Sequence, residues 1–169
     1  MAKVDLTMYK STDGTPKHGI LATGSDTIDI IQKFTIPNTS SVASVLRLCE
    51  VPSNFVLTAG SIQFDGENTG AMTIDAGLFE TEEHGGEVID VDCFVDGQAV
   101  NSAGSVSLLA AVAIGDLDKT LYEYAKAKGV SRTDVSSSRQ AYVLGVTLGA
   151  AAADADNVCV LKATFVRKS

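Results

Sequence analysis

Met72-Thr73-Ile74-Asp75-Ala76-Gly77-Leu78-Phe79 and Val88-Ile89-Asp90-Val91-Asp92-Cys93-Phe94-Val95-Asp96-Gly97 flank the turn Glu82-Glu83-His84-Gly85-Gly86. In the first segment Met72, Ile74, Ala76 and Leu78 fall on one face. In the second, Ile89, Val91, Cys93 and Val95 do the same, with Asp90, Asp92, Phe94 and Asp96 between them. Successive side chains of a strand point to opposite faces, so a period of two with polar residues between marks half-buried antiparallel strands. The stretch reads as a hairpin with one apolar and one mainly acidic face.

Outward from this hairpin the same logic repeats. Upstream, Ile28, Ile30, Phe34 and Ile36 alternate with Asp29, Ile31, Lys33 and Thr35, and Pro37-Asn38 ends the strand. Residues 42–51 form a second strand of mixed phase, which suits cover on both faces. Residues 55–64 form a third, in which Gly60 is the expected site of a bulge. Downstream, Tyr142, Leu144, Val146 and Leu148 line one strand, and Cys159, Leu161, Ala163 and Phe165 line another. The Ala-rich link at 149–157 between them reads as a flexible connection, and residues 105–114 as a further strand. One segment, about 116–128, has helical spacing in Leu117, Leu121, Tyr124 and Ala125. Asp116 is its expected cap, with Lys126, Lys128 and Gly129 closing it. About eight strands and one short helix predict an all-β, antiparallel β-sandwich of jelly-roll-like form. Residues 1–25, rich in turn formers such as Ser11-Thr12-Asp13-Gly14-Thr15-Pro16, predict an N-terminal arm or loop; residues 26–169 predict a single domain. A loop is expected at 131–139.

Composition narrows the function classes. The 169 residues carry 21 acidic and 13 basic side chains, a formal net charge of −8. The basic residues are scattered, which argues against phosphate backbones and anionic membranes as partners. Cys49, Cys93 and Cys159 are odd in number, far apart and set in apolar strand patterns, as buried free thiols are. No apolar leader follows Met1-Ala2-Lys3-Val4-Asp5, and no run approaches a membrane span, so a soluble protein made in the cytoplasm is expected.

The search for chemistry predicts no catalytic, cofactor-binding or metal-ligating residues. His84 beside Glu82 and Glu83 lacks the helical spacing that makes side chains converge on zinc. Asp90, Asp92 and Asp96 approach a calcium-loop pattern that fails at Phe94. No nucleophile elbow, phosphate loop or activated cysteine occurs. The chain reads as a non-enzyme without a small-molecule substrate. By the simple alternation, Phe79 and Phe94 point away from the core among Thr73, Asp75, Asp90 and Asp92. Either the helix or a loop covers them, or they meet another subunit as the candidate interface residues, since exposed aromatics in polar surroundings mark contact surfaces.

The phrase Asp75-Ala76-Gly77-Leu78-Phe79, followed by Val88-Ile89-Asp90-Val91-Asp92-Cys93-Phe94-Val95-Asp96-Gly97, resembles a strand pair recurring in tailed-bacteriophage virion proteins, and within them the capsid decoration (cement) protein family. That resemblance implies a jelly-roll-like sandwich and a homotrimer bound to the major capsid protein on the outer capsid surface. It implies bridging of neighbouring capsomers through protein–protein contacts, in a virion assembled from parts made in the host cytoplasm. Other β-rich readings are a tail-tube or adaptor subunit and a carbohydrate-binding module. The absence of Trp disfavours the last, because sugars stack on exposed aromatics.

Overall fold

The computed structural model describes residues 5–7, 26–67, 69–130 and 141–168. Most of the expected arm and the expected 131–139 loop lie outside them. Nine strands follow in chain order: β1 (Asp5–Thr7), β2 (Thr27–Ile36), β3 (Val45–Pro52), β4 (Phe55–Phe64), β5 (Thr73–Phe79), β6 (Val88–Ala99), β7 (Gly104–Ser107), β8 (Ala141–Gly149) and β9 (Asn157–Arg167). One sheet has the order β1-β3-β8-β5-β6 and the other β2-β9-β4-β7. β1 joins β3 in parallel over three residues. Every other pairing is antiparallel, leaving two four-stranded antiparallel sheets plus that short addition. From β2 to β5 the chain passes from one sheet to the other at each step, and again from β6 to β9; only β5 and β6 are consecutive neighbours within a sheet. That crossing pattern is a jelly roll, as the alternation predicted.

The core lies between the sheets. Ile28, Ile30, Phe34 and Ile36 of β2 face it together with Cys159, Leu161, Ala163 and Phe165 of β9. Ile74, Ala76 and Leu78 of β5 and Tyr142, Leu144, Val146 and Leu148 of β8 close it from the opposite sheet. Burial of this layer, at about 25 cal/mol per Å² of apolar surface, is the main favourable term of folding.

Several local expectations are corrected. The helix α1 spans Leu121–Ala127 and is capped by Thr120 rather than Asp116. Thr120 Oγ1 accepts from Glu123 N at 3.1 Å, and the Glu123 carboxylate accepts from Thr120 N at 2.8 Å. This reciprocal box satisfies two orphan amides and outcompetes a lone aspartate further upstream. Asp116 instead ends a short 3₁₀ turn, Ile114–Asp116, and pairs with Lys119 at 2.6 Å. The strand expected over 105–114 survives only as β7. The bulge in β4 falls at Leu57/Ala59, not at Gly60. Gly60 is required for another reason: a Cβ there would sit 2.6 Å from Leu108 Cδ1 and 2.8 Å from the Lys162 carbonyl. The link before β9 is pinned at both flanks, since Asp154 accepts from Thr69, Asp156 accepts from Asn38 N at 2.8 Å, and Ala153 is fully buried.

The middle of the first sheet is tighter still. Gly77 of β5 pairs directly with Gly145 of β8. A Cβ on Gly77 would land on the backbone carbonyls of Asp90 and Val91. Gly77→Ala is therefore expected to lower unfolding free energy by ~1–3 kcal/mol in urea titration. Gly115→Ala, at a site open on all sides, should stay within about 0.5 kcal/mol of the parent.

Candidate functional site

The acidic face of the opening hairpin was the loudest chemical signal, and its geometry follows from β6. Between the pairs Ala76–Val95 and Leu78–Asp90, β5 contributes only Gly77, whereas β6 contributes residues 91–94. The ladder breaks there, so the period of two breaks with it. Cys93, Phe94 and Val95 are all buried in succession, while Ile89 and Val91 are half-buried.

This decides the fate of the two candidate interface aromatics. Phe94 is 3% exposed. Its ring lies 6.2 Å from that of Tyr124 on α1, and its carbonyl accepts from Ala111 N. Phe79 does face away from the main core, as the alternation required, yet it is fully buried in a satellite cluster with Val45 and Val143. It lies across Gly145, whose absent side chain leaves room for the ring. The Arg47 guanidinium sits 5.2 Å from the ring centroid and donates to Gly86 O at 2.7 Å. Of the two readings, cover from within the chain is the one the structure shows for both rings: a guanidinium and a turn cover one, and a helix covers the other. Sequence reasoning missed Arg47, a buried cation in a strand of apolar neighbours, which was itself the available signal.

The carboxylates of β6 do not gather into a ligand shell. Asp90 forms an ion pair with Lys128, just past the end of α1, at 2.7 Å. Burial pushes the Asp90 carboxyl up, but hydrogen bonds from Lys128 and Asp92 and the charge of Lys128 bring it below the ordinary value of 3.8. Asp92 moves the other way, raised by its hydrogen bond with Asp90, by burial and by repulsion from Asp90. Lys128 also lies 5.8 Å over the Tyr124 ring and is raised by its hydrogen bond to Asp90. The cluster works as a clasp between α1 and β6.

An open pocket of about 370 Å³ adjoins the clasp, lined by Glu80, His84, Glu87, Ile89, Lys128 and Val130 among others. His84 Nδ1 is held 2.8 Å from Thr81 Oγ1 within the 3₁₀ turn Glu82–His84. Among the described residues no three His, Cys, Asp or Glu side chains could share a metal ion. All three cysteines are buried and free. Burial pushes the Cys49 and Cys159 thiols up to about 12 and Cys93 up as well, so none is a ready nucleophile.

Comparison with known proteins adds one kind of information. The fold is similar to that of a chain in the capsid of Ralstonia phage GP4, with a TM-score of 0.59 and 17% identity, over 97% of this chain and 99% of that one. A chain of the cyanophage Pam1 capsid asymmetric unit is similar too, with a TM-score of 0.52 and 14% identity over 91% of each chain. The likeness is one of fold. No family model matches the sequence, and no curated protein does.

The clasp has a definite pH signature. The lowered Asp90 makes its contribution above the ordinary carboxylate value, and that contribution disappears as pH falls through the lower folded value. Lys128→Met should cost about 0.5 kcal/mol at pH 7, a small figure because the lysine is nearly half exposed. The gap between parent and variant should close as pH falls through the lowered Asp90 value. Urea titrations of both proteins from pH 2 to 7 measure it.

Proposed function

We propose that the protein is a structural component of a tailed-phage virion that decorates the outer capsid surface and bridges neighbouring capsomers. The observation that carries this reading is the fold: a jelly roll matched along nearly its whole length by chains belonging to two phage capsids. The resemblance of Asp75–Gly97 to decoration proteins, seen in the sequence, points the same way. Charge refines the location. A net charge of −8 suits an outward surface better than an interior packed with polyanionic DNA.

On this reading the protein acts without catalysis, as a trimer bound to the major capsid protein. Each docked copy adds contact area between capsomers. Modest contacts suffice because many copies act together on one closed lattice. The architecture fits such a load: two sheets share one continuous core, and the helix is fastened to β6 by an ion pair and to the loop after β3 by a hydrogen bond from Tyr122 N to Ser53 O.

Quantitative mass spectrometry of purified particles tests the role. Copy numbers in the hundreds, near or below that of the major capsid protein, are expected; a handful would assign it to the tail or a vertex, and absence would end the virion reading. Removal of residues 1–25, which takes β1 with it, is expected to weaken attachment to undecorated capsids by about tenfold, ~1.4 kcal/mol, while the two four-stranded sheets still fold. Unchanged attachment in a co-sedimentation assay would show that the arm takes no part.

A further inference from the structure

The described residues leave four sheet edges, and three are blunted in ways that discourage pairing. β1 is three residues long and β7 four. β6 is acidic and its register with β5 shifts three times. β2 differs. It runs ten residues in unbroken register with β9, with no proline inside it and no bulge. Long, regular edges offer unpaired backbone groups to another strand, and natural proteins ordinarily protect them.

The outward side chains of β2 are Thr27, Asp29, Ile31, Lys33 and Thr35. Ile31 is 72% exposed, an unusual position for isoleucine. Asp29 and Lys33 flank it at equal spacing with opposite charge. Asp29 accepts a hydrogen bond from Thr164 Oγ1 at 2.7 Å, and among the described residues Lys33 has no ion-pair partner. This pattern is complementary to its own reverse. An antiparallel copy centred on Ile31 places Ile31 against Ile31, Asp29 against Lys33 on both sides, and Thr27 against Thr35.

We propose that β2 is a self-pairing edge, through which two copies of this chain join antiparallel about a two-fold axis at Ile31. The two β2-β9-β4-β7 sheets then continue into one eight-stranded sheet. Backbone hydrogen bonds supply affinity, and the paired Asp29–Lys33 contacts fix register. A two-fold contact is distinct from any three-fold contact within a trimer, so the same chain can use both. The inference does not depend on the capsid role.

Cysteine cross-linking reads the register directly. Residues opposite each other in an antiparallel pair have Cα atoms about 4.5–5.5 Å apart, within disulfide reach. Ile31→Cys in the full chain is expected to give a covalent dimer on a non-reducing denaturing gel after mild oxidation. The native cysteines are buried and do not compete. Lys33→Cys should give none, because its two copies would lie on the order of 13 Å apart. No dimer from Ile31→Cys, equal yields from both variants, or a dimer from Lys33→Cys alone would each overturn the proposal.

A charge-swap series keeps Ile31 intact and supplies a second measurement. In sedimentation equilibrium, Asp29→Lys and Lys33→Asp should each weaken self-association about tenfold, since every pair contains the clash twice. The double variant should recover parental association. Single reversals without effect, or a double variant weaker than either, would refute the pairing. Because purified protein alone is used, failure here is separate from failure of the capsid role, which particle copy number decides.

Discussion

The arrangement of the first sheet depends on one steric allowance: no side chain stands at Gly77 or Gly145, which face each other across β5 and β8. On the Gly77 side the vacancy is filled by the backbone of β6, which folds over it at Asp90 and Val91. On the Gly145 side it is filled by the Phe79 ring, whose edge would come within 2.7 Å of a Cβ there. The two glycines therefore let a bulged strand and an aromatic ring pack onto positions where a sheet normally projects side chains. The bulge turns Phe94 towards Tyr124 and places Asp90 beside Lys128, so the seat of α1 follows from it.

The same constraint explains which parts of the fold were legible in the sequence. β2 pairs with β9, and β5 with β8, without a register shift, and the alternation of Ile28, Ile30, Phe34 and Ile36 with Asp29, Ile31, Lys33 and Thr35 is reproduced residue by residue. β4 matched its expected bounds even though its bulge was misplaced. β6 was misread, because a period of two assumes one partner residue per residue, and opposite Gly77 the count is one against four. The glycine itself was visible. Its consequence was not, since nothing local distinguishes a glycine that admits a foreign backbone from one that merely turns.

The candidate site was legible in composition and illegible in geometry. The acidic run of β6 was evident, and in the structure its Asp90 holds a lysine. That the lysine would be Lys128, 38 positions downstream of Asp90 (counted along the sequence), required the fold. Phe79 was limited for a related reason: alternation gives the facing of a side chain but not what lies over it. Arg47, 32 positions before Phe79, supplies the cover through its guanidinium, and the turn at Gly86 fixes that guanidinium in place.

On the proposed capsid role, these features bear on how the chain is held in a lattice. Its aromatic side chains at positions 79 and 94 are spent on internal packing, so adhesion draws on other exposed groups, among them Ile31, Val88 and Ile114, and on backbone edges. Singly exposed apolar side chains give weak pairwise contacts, because each gains little apolar area. Weak contacts are serviceable only where geometry repeats them, and a closed shell does so with every subunit. A rigid sandwich is then an advantage, since a stiff scaffold loses little conformational entropy on docking and each repeated contact keeps more of its free energy. The glycine-centred packing of the first sheet and the unbroken β2–β9 ladder of the second both serve that stiffness, by leaving those strands few alternative registers.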